Sequence, residues 1–304
     1  MPSPGHNPPR IALSIDLEEY FQVEAMTGVV QRADWDALPS RIEANTHRVL
    51  EAFAAASARA TFFVVGWVAE RFPRLIAEVA AAGHEIGCHS YWHRPVFGLS
   101  AQEFRDDTRR AKAVIEAAAG CEVRGYRAPN FSIRTPSPQG PGAVDAPDAM
   151  DWALEVLAEA GFAYDSSVHP VRHPLYGAAT APRGPFYLPR FGLWEFPLAT
   201  VALGRHRLPM AGGGYWRLAP WVYTRWAIQQ ALRQGLQPVC YLHPWELDPG
   251  QPRLSLPAAR RFRHYVGLAG TQSKLRRLLQ EFGSETLREM FSAELEPTRA
   301  GALA

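Results

Sequence analysis

Short apolar runs that alternate with helical patterns constrain the fold of this chain more than any other feature. Each run is too short for a helix and is interpreted as a buried strand. Four runs open the chain, at residues 11–15, 60–65, 84–88 and 122–126. Apolar residues at helical spacing fill the intervals, and they predict helices ending near Ser57, Gly83 and Ala119. The alternation predicts an α/β fold of parallel βαβ units, with functional side chains at the carboxyl ends of the strands.

The predicted starts of two helices depend on a capping pattern. Ser40 with Glu43, and Ser100 with Glu103, have the spacing of a capping box. In that motif the serine and the glutamate bond to free N–H groups of the first turn. We therefore expect a helix to begin beside each serine.

The chain divides into three predicted regions. They are a flexible N-terminus (1–10), an α/β barrel (11–250) and a mainly helical C-terminal extension with disordered last residues (251–304). The last barrel strand, 238–242, leads into His243. In the extension Leu275, Leu278 and Leu279 share one helix face, which predicts packing against the barrel.

Composition narrows the function classes. With 47% hydrophobic and 20% charged residues the chain is typical of a globular protein. A formal net charge of +2 and the lack of a basic stripe argue against nucleic-acid binding. One basic cluster falls at helical spacing and is interpreted as a solvated helix face: Arg260, Arg261, Arg263, Arg276 and Arg277.

Cysteines and apolar segments indicate the compartment. Cys88, Cys121 and Cys240 lack CxxC spacing, so neither a disulfide framework nor a cysteine zinc site is predicted. The chain has no run of about 18 apolar residues and no signal-peptide pattern. We therefore expect a cytoplasmic protein without a membrane-spanning segment, and the sequence leaves its oligomeric state open.

Two histidines four residues apart follow the third predicted strand, in His89-Ser90-Tyr91-Trp92-His93. In a helical turn this spacing places both imidazoles on one side, close enough to share one metal ion. The end of the first strand carries acids. Strand alternation puts Asp16 and Glu18 on one side and Glu19 on the other. One acid of such a pair can bind the metal while the other takes a proton from water.

Four motifs occur in a fixed order, and each lies at the end of a predicted strand. They are SIDLEE (14–19), HSYWH (89–93), RAPNF (127–131) and CYLHPWE (240–246). In them the chain resembles the polysaccharide deacetylases with the NodB homology domain, also called carbohydrate esterase family 4. The resemblance runs from about Ile11 to Glu246. It implies a distorted (β/α) barrel that removes N-acetyl groups from an amino-sugar polysaccharide or its precursor.

The resemblance is closest to a bacterial subgroup linked to exopolysaccharide and exosortase gene clusters. Members of that subgroup carry DVEDYF-like and HPWEIDP-like segments followed by a carboxyl-terminal extension. Here these segments read DLEEYF from Asp16 and HPWELDP from His243. An N-acetylated glycan is therefore the expected partner.

Metal ligands and a base are implied by the resemblance. His89 and His93 correspond to ligands of one divalent ion, preferably zinc, and Asp16 corresponds to the catalytic base. Most of the family has two adjacent aspartates, but Leu17 follows Asp16 here. The third ligand is accordingly Glu18, Glu19 or neither, and strand alternation favours Glu18.

Further roles follow from the same resemblance. Arg127 corresponds to the arginine that orients and ionises the base, and the backbone N–H of Asn130 to a donor for the oxyanion. His243 corresponds to the general acid that protonates the leaving amine. Such an acid needs a carboxylate partner, for which Asp165 and Glu246 are both candidates.

Aromatic side chains in or beside these loops are candidates for contacts with sugar rings. They are Trp92, Phe131, Tyr215, Trp216, Tyr241 and Trp245. The family commonly has an aliphatic residue at the position of Tyr241, in the acetyl pocket. Two other hypotheses stay open: a metal-free cyclic-amide hydrolase of the allantoinase type, and a catalytically inactive carbohydrate-binding protein.

Overall fold

Strand β1 (Arg10–Leu17) has seven of its eight residues buried, and three strands, β2, β10 and β11, pair with it. The computed structural model describes residues 9–133, 150–173, 177–204 and 206–296. Most of the predicted flexible N-terminus and the last residues, which are predicted to be disordered, lie outside these ranges.

The remaining strands follow in chain order. They are β2 (Thr61–Val64), β3 (Glu85–Cys88), β4 (Gly125–Tyr126), β5 (Tyr164–Asp165), β6 (Phe186–Leu188), β7 (Leu193–Glu195), β8 (Thr200–Leu203), β9 (His206–Pro209), β10 (Val239–Leu242) and β11 (Gly283–Glu285). The main sheet has the order β10-β1-β2-β3-β4-β5-β7-β6, and every pair in it is parallel except β6 with β7. Strands β8 and β9 form a separate hairpin.

Helices occupy the intervals between the strands, as the sequence predicts. They are α1 (Ile42–Ala55), α2 (Gly66–Arg71), α3 (Pro73–Ala81), α4 (Ala101–Ala119), α5 (Asp151–Glu159), α6 (Gly213–Leu218), α7 (Trp221–Arg233), α8 (Ala258–Tyr265), α9 (Leu268–Glu281), α10 (Leu287–Met290) and α11 (Ser292–Leu295). Apolar side chains between helices and sheet form one buried core. In the described ranges no helix is long and apolar enough to cross a bilayer.

The C-terminal extension is more than a set of helices packed on the barrel. Strand β11 pairs in parallel with β1 at Arg10–Ala12, just before β2 begins to pair with β1 at Ser14. The sequence predicts only helices here, because a three-residue strand has too few residues to show a period of two. The extension therefore completes the sheet at its amino end.

One of the two predicted capping boxes is correct. Ser100 accepts from the N–H of Glu103 and caps α4 as expected. At α1 no box forms. The carboxylate of Glu19 instead accepts from the N–H groups of Arg41 and Ile42 and from the Ser40 hydroxyl. A buried acid from the preceding loop thus replaces the local cap, and burial raises the pKa of Glu19.

Removing this long-range cap is expected to destabilise the fold. Glu19→Ala leaves buried donors of α1 unsatisfied, so we expect it to lower the free energy of unfolding by about 2 kcal/mol. Glu43→Ala, at the exposed position of the box that does not form, is expected to change it by less than about 0.5 kcal/mol. Urea denaturation followed by circular dichroism measures both. A larger loss for Glu43→Ala contradicts this account.

Candidate active site

The carboxyl ends of β1, β3, β4 and β10 bring the predicted catalytic residues together. Asp16 and Glu18 come from β1 and the residue after it, His89 and His93 from the loop after β3, Arg127 from the end of β4 and His243 from the end of β10. Asp16, Glu18 and Arg127 are each at most 2% exposed. The parallel pairing of the strands explains why residues so distant in sequence meet here.

Glu18, His89 and His93 form a possible metal site. One ligand atom from each lies within 4.8 Å of the other two. The Nδ1 atom of His89 donates to the carbonyl of Arg127 at 2.7 Å, so its Nε2 keeps a free lone pair. His93 Nε2 lies 2.7 Å from Glu18 Oε2. Glu19 points away to α1, so of the two alternatives for the carboxylate the structure brings only Glu18 to the histidines.

Electrostatics in this group are strongly coupled. Burial raises the pKa of Glu18, but the neighbouring His93, His243 and His89 outweigh burial and lower the pKa to about 2. Burial and the adjacent His93 hold the pKa of His89 well below its usual value. The group is therefore an ionised carboxylate beside a neutral imidazole, which is the state that binds a cation.

The HSYWH segment does not form the predicted helical turn. It is a loop in which Ser90 and His93 have positive φ angles of 59° and 49°. Asp107 of α4 accepts from the N–H groups of Tyr91 and Trp92, and the Ser90 hydroxyl accepts from the N–H of His93. The two imidazole rings still lie 5.0 Å apart. Asp107 was not predicted from the sequence, because the position of an acid within a helix does not show which loop its side chain binds.

The Arg127 side chain binds and orients Asp16. Its Nη1 donates to Asp16 Oδ1 at 2.7 Å and to the Ser14 hydroxyl at 2.6 Å. Its Nε and Nη2 donate to the carbonyl and the hydroxyl of Ser166. Both charges of this ion pair are buried, so each stabilises the other. The second carboxylate oxygen of Asp16 lies 3.9 Å from His243 Nε2.

His243 is bound to Glu246, one of the two predicted partners. Its Nδ1 bonds to Glu246 Oε1, and its Nε2 lies 3.4 Å from Glu18 Oε1. Burial lowers the pKa of His243, but the carboxylates of Glu18, Glu246 and Asp16 together raise it to about 9. The imidazole is therefore protonated at neutral pH, as a general acid requires.

Arg217 of α6 completes this arrangement. Its Nη1 lies 3.1 Å from Glu246 Oε2, and both side chains are almost fully buried. Burial raises the pKa of Glu246, but Arg217 and His243 outweigh it and lower the pKa. Arg217 was not predicted, because α6 is about 30 residues away in sequence and carries no motif.

The other predicted partner, Asp165, has a different role. It faces Glu195 across the β5–β7 pair and accepts from the Ser167 hydroxyl. Burial raises the pKa of both acids. The prediction of Asp165 as a partner of His243 is thus wrong, because Asp165 is engaged by its own strand neighbour.

Asn130 lies in a short 3-10 turn, Pro129–Phe131, at the end of β4. Its φ is 55°, and its side chain donates to Glu24 at 3.0 Å. Because Glu24 lies in the loop after β1, this bond ties the predicted oxyanion loop to the loop that follows the acids.

The predicted aromatic contacts separate into two groups. The Tyr241 ring lies 4.9 Å from Phe131 and 5.5 Å from His243, and Trp245 stacks on His243 and donates to Glu18. Trp92 is half-buried and packs against Trp35.

The other two aromatics, Tyr215 and Trp216, lie on α6. Trp216 is buried beside a small apolar cavity with Leu13, Met210 and Leu278, and its role as a sugar contact stays a prediction. Tyr215 is exposed on α6. The apolar spacing of α6 gives no indication of which of its faces is buried, since the helix has only six residues.

Family comparisons cover most of the chain in two parts. Residues 34–139 match the family model described as polysaccharide deacetylase, and residues 166–292 match one described as a domain of unknown function, DUF3473.

Two curated proteins match parts of the chain. A peptidoglycan-N-acetylglucosamine deacetylase from Bacillus cereus is 30% identical over 88 residues, which are 29% of this chain and 32% of that protein. A chitooligosaccharide deacetylase from Sinorhizobium fredii is 34% identical over 118 residues, which are 36% of this chain and 54% of that protein. The chain thus spans about a third and about half of the length of these two relatives.

One solved structure supports the fold. A protein from Mycobacterium smegmatis that is named as a polysaccharide deacetylase superposes with a TM-score of 0.52 at 20% identity. The alignment covers 94% of this chain and 96% of that chain. At this identity the likeness concerns the fold alone, and it confirms the predicted distorted (β/α) barrel.

The contact with Glu246 predicts that the pKa of His243 is raised. In chelator-treated protein we expect the imidazole to titrate near pH 9, and Glu246→Gln to move the midpoint toward the ordinary value of 6.5. Because the folded pKa is raised, the stabilising contribution is complete below pH 6.5 and is lost as the pH rises through about 9. NMR of labelled histidine measures the midpoint. Asp165→Asn is the control and leaves it unchanged; an equal shift in that variant contradicts the assignment.

Proposed function

We propose that this chain, which matches the polysaccharide deacetylase family model over residues 34–139, removes N-acetyl groups from an amino-sugar-containing polysaccharide or its precursor by metal-dependent hydrolysis. The observation that carries this proposal is the group of Glu18, His89 and His93, with Asp16 and His243 beside it. The two relatives are named for acting on peptidoglycan N-acetylglucosamine and on chitooligosaccharides. An N-acetylated amino sugar is accordingly the proposed substrate unit.

The donor set fits a divalent cation, and zinc is the proposed ion. Two imidazoles and one carboxylate, all buried, are ligands that zinc prefers at catalytic sites with an open position. The fixed Nδ1 bond of His89 leaves its Nε2 as the ligand atom. When bound, such a cation supplies Lewis acidity that polarises the amide carbonyl and acidifies water.

Asp16 is the proposed general base. Arg127 fixes one of its carboxylate oxygens, so the other is left to accept a proton from the attacking water. The same guanidinium holds the Asp16 carboxylate in place within a buried ion pair. Asn130 is proposed to donate its backbone N–H to the oxyanion that forms from the carbonyl.

His243 is the proposed general acid. Its Nε2 faces Asp16 and Glu18, and its Nδ1 is held by Glu246. Protonated Nε2 therefore points into the site, where it can give a proton to the departing sugar amine as the C–N bond breaks. Phe131, Tyr241 and Trp245 surround this position and are proposed to contact the acetyl group and the sugar ring.

Two substitutions separate metal binding from proton transfer. His89→Ala is expected to remove bound zinc and to abolish acetate release from N-acetylated oligosaccharides. Asp16→Asn is expected to retain zinc and to lower kcat by at least about 10²-fold, since only proton transfer is lost. Acetate release and metal content are measured on the same samples, with circular dichroism as the control for folding.

Two results contradict the proposed reaction. Full acetate release by the metal-free protein contradicts the proposed dependence on a metal ion. The second result is a wild-type protein that binds the glycan but releases no acetate, together with an Asp16→Asn variant that binds equally well. This combination points to a binding protein.

The choice between the two glutamates is tested directly. Glu18→Gln is expected to weaken zinc binding by at least about 10-fold, because it removes the anionic ligand. Glu19→Gln is the matched control in the adjacent position and is expected to leave zinc affinity unchanged, since its carboxylate caps α1. Competition with a chromogenic chelator measures both affinities. Weaker binding in the Glu19 variant alone overturns the assignment.

A further inference from the structure

Charge is distributed very unevenly along this nearly neutral chain. Residues 196–280 contain twelve Lys and Arg but only two acids, a formal charge of +10. The rest of the chain contains 20 Lys and Arg against 28 acids, a formal charge of −8. The formal net charge of +2 therefore conceals two oppositely charged parts of one molecule.

Neither acid of the basic part reaches the surface. Glu246 is fully buried against Arg217, and Asp248 is 2% exposed and paired with Arg41. Six arginines of this part are exposed, and within the described ranges none of them forms an ion pair: Arg233, Arg253, Arg261, Arg263, Arg276 and Arg277. Arginines elsewhere are often paired, as in Arg71 with Asp36. Positive charge in the basic part is therefore presented to the solvent.

Large apolar side chains are exposed on the same elements. Tyr215 and Leu218 of α6, Val222 of α7 and Phe262 of α8 are 38%, 51%, 75% and 59% exposed. They account for half of the eight large exposed apolar side chains in the described residues. Single exposed apolar residues are ordinary, but several on joined helices mark an interaction surface.

The helices that carry these side chains are joined at one place. The Arg217 side chain of α6 donates to the carbonyls of Arg263 and Val266 at the end of α8. Lys274 of α9 donates to the last carbonyls of α6, those of Trp216, Arg217 and Ala219. The Arg277 guanidinium lies 4.9 Å from the centre of the Trp221 ring at the start of α7. The helices that carry the exposed apolar residues and Arg263, Arg276 and Arg277 thus meet at one junction.

We propose that this junction surface binds the interface of bilayers containing anionic phospholipids. Arginines are attracted to the negative headgroups, and the apolar tips of Leu218, Val222 and Phe262 insert among them. An acidic polysaccharide is the other polyanion that such arginines attract. It offers no apolar layer, and the lipid interface is favoured because it uses both features.

The surface lies close to the candidate active site. Arg217 reaches inward from α6 to Glu246, which binds His243, whereas Leu218 beside it points to the solvent. Docking at α6 would therefore hold the site within about one helix diameter of the membrane, or about 10 Å. The proposal does not depend on the deacetylase reaction, because its evidence is charge and exposure alone.

Vesicle sedimentation tests the proposal. Full-length protein is mixed with vesicles of phosphatidylcholine alone or with 30% phosphatidylglycerol, on the order of the anionic content of a charged leaflet. We expect partition into the anionic vesicles to exceed partition into neutral ones at least about 10-fold and to fall with added salt. Arg276→Glu with Arg277→Glu is expected to lower it at least about 10-fold, and Leu218→Ser with Val222→Ser to lower it severalfold.

A matched variant controls for total charge. Arg74→Glu with Arg109→Glu changes two exposed, unpaired arginines of α3 and α4, outside the basic part, and is expected to bind like wild type. Equal loss in this variant overturns the proposal, since it shows dependence on net charge alone. Retention by alginate beads without sedimentation on anionic vesicles also overturns it and assigns the surface to an acidic glycan. Equal binding to neutral vesicles overturns the role of the arginines.

Discussion

The buried guanidinium of Arg127 is the contact on which the candidate site depends. It is 0% exposed and bonds to Ser14 and Asp16 of β1 and to Ser166 after β5. The carbonyl of the same residue accepts from His89 Nδ1. One residue thus orients the proposed base with its side chain and a proposed metal ligand with its backbone. An unpaired charge at this depth would cost several kcal/mol. Arg127 and its four partners are therefore fixed together or not at all.

Local patterns predicted the parts of this structure that depend on neighbours in sequence. The strands, the intervening helices and the cap at Ser100 follow from apolar spacing and from residues three positions apart. The meeting of Asp16, His89, Arg127 and His243 follows from parallel pairing, since each lies at or just after the carboxyl end of a strand. The fold and these four positions were therefore accessible to sequence reasoning.

What escaped prediction depends on contacts between distant segments. Glu19 replaces the predicted cap at Ser40 by binding residues more than 20 positions away in sequence. Arg217 reaches Glu246 from a helix in another part of the chain. Asp165 is an acid that could have been a partner for His243. The pairing of β5 with β7 instead places it opposite Glu195. Residue type shows which bonds a side chain can make, and only the fold decides which one it makes.

The site is assembled from three parts of the chain that the family matches distinguish. The acids of β1 precede residue 34, where the deacetylase match begins; the histidine pair and Arg127 lie within that match; His243, Glu246 and Arg217 lie within the second. The second part therefore carries the proposed acid together with the ion pair that holds it. Loss of that part would remove the proposed proton donor, not merely a covering layer.

Backbone strain is concentrated where these parts meet. In the described residues five non-glycine positions have positive φ, and four of them are Ser90, His93, Asn130 and Phe131 in the loops of the site. Each such conformation costs about 1–3 kcal/mol and persists only when surrounding contacts enforce it. Asp107 enforces the first loop through two N–H groups, and Glu24 holds Asn130 in the second. Holding the histidines and the proposed oxyanion donor in place therefore lowers the stability of the fold. This favours a preorganised site over one assembled by the substrate.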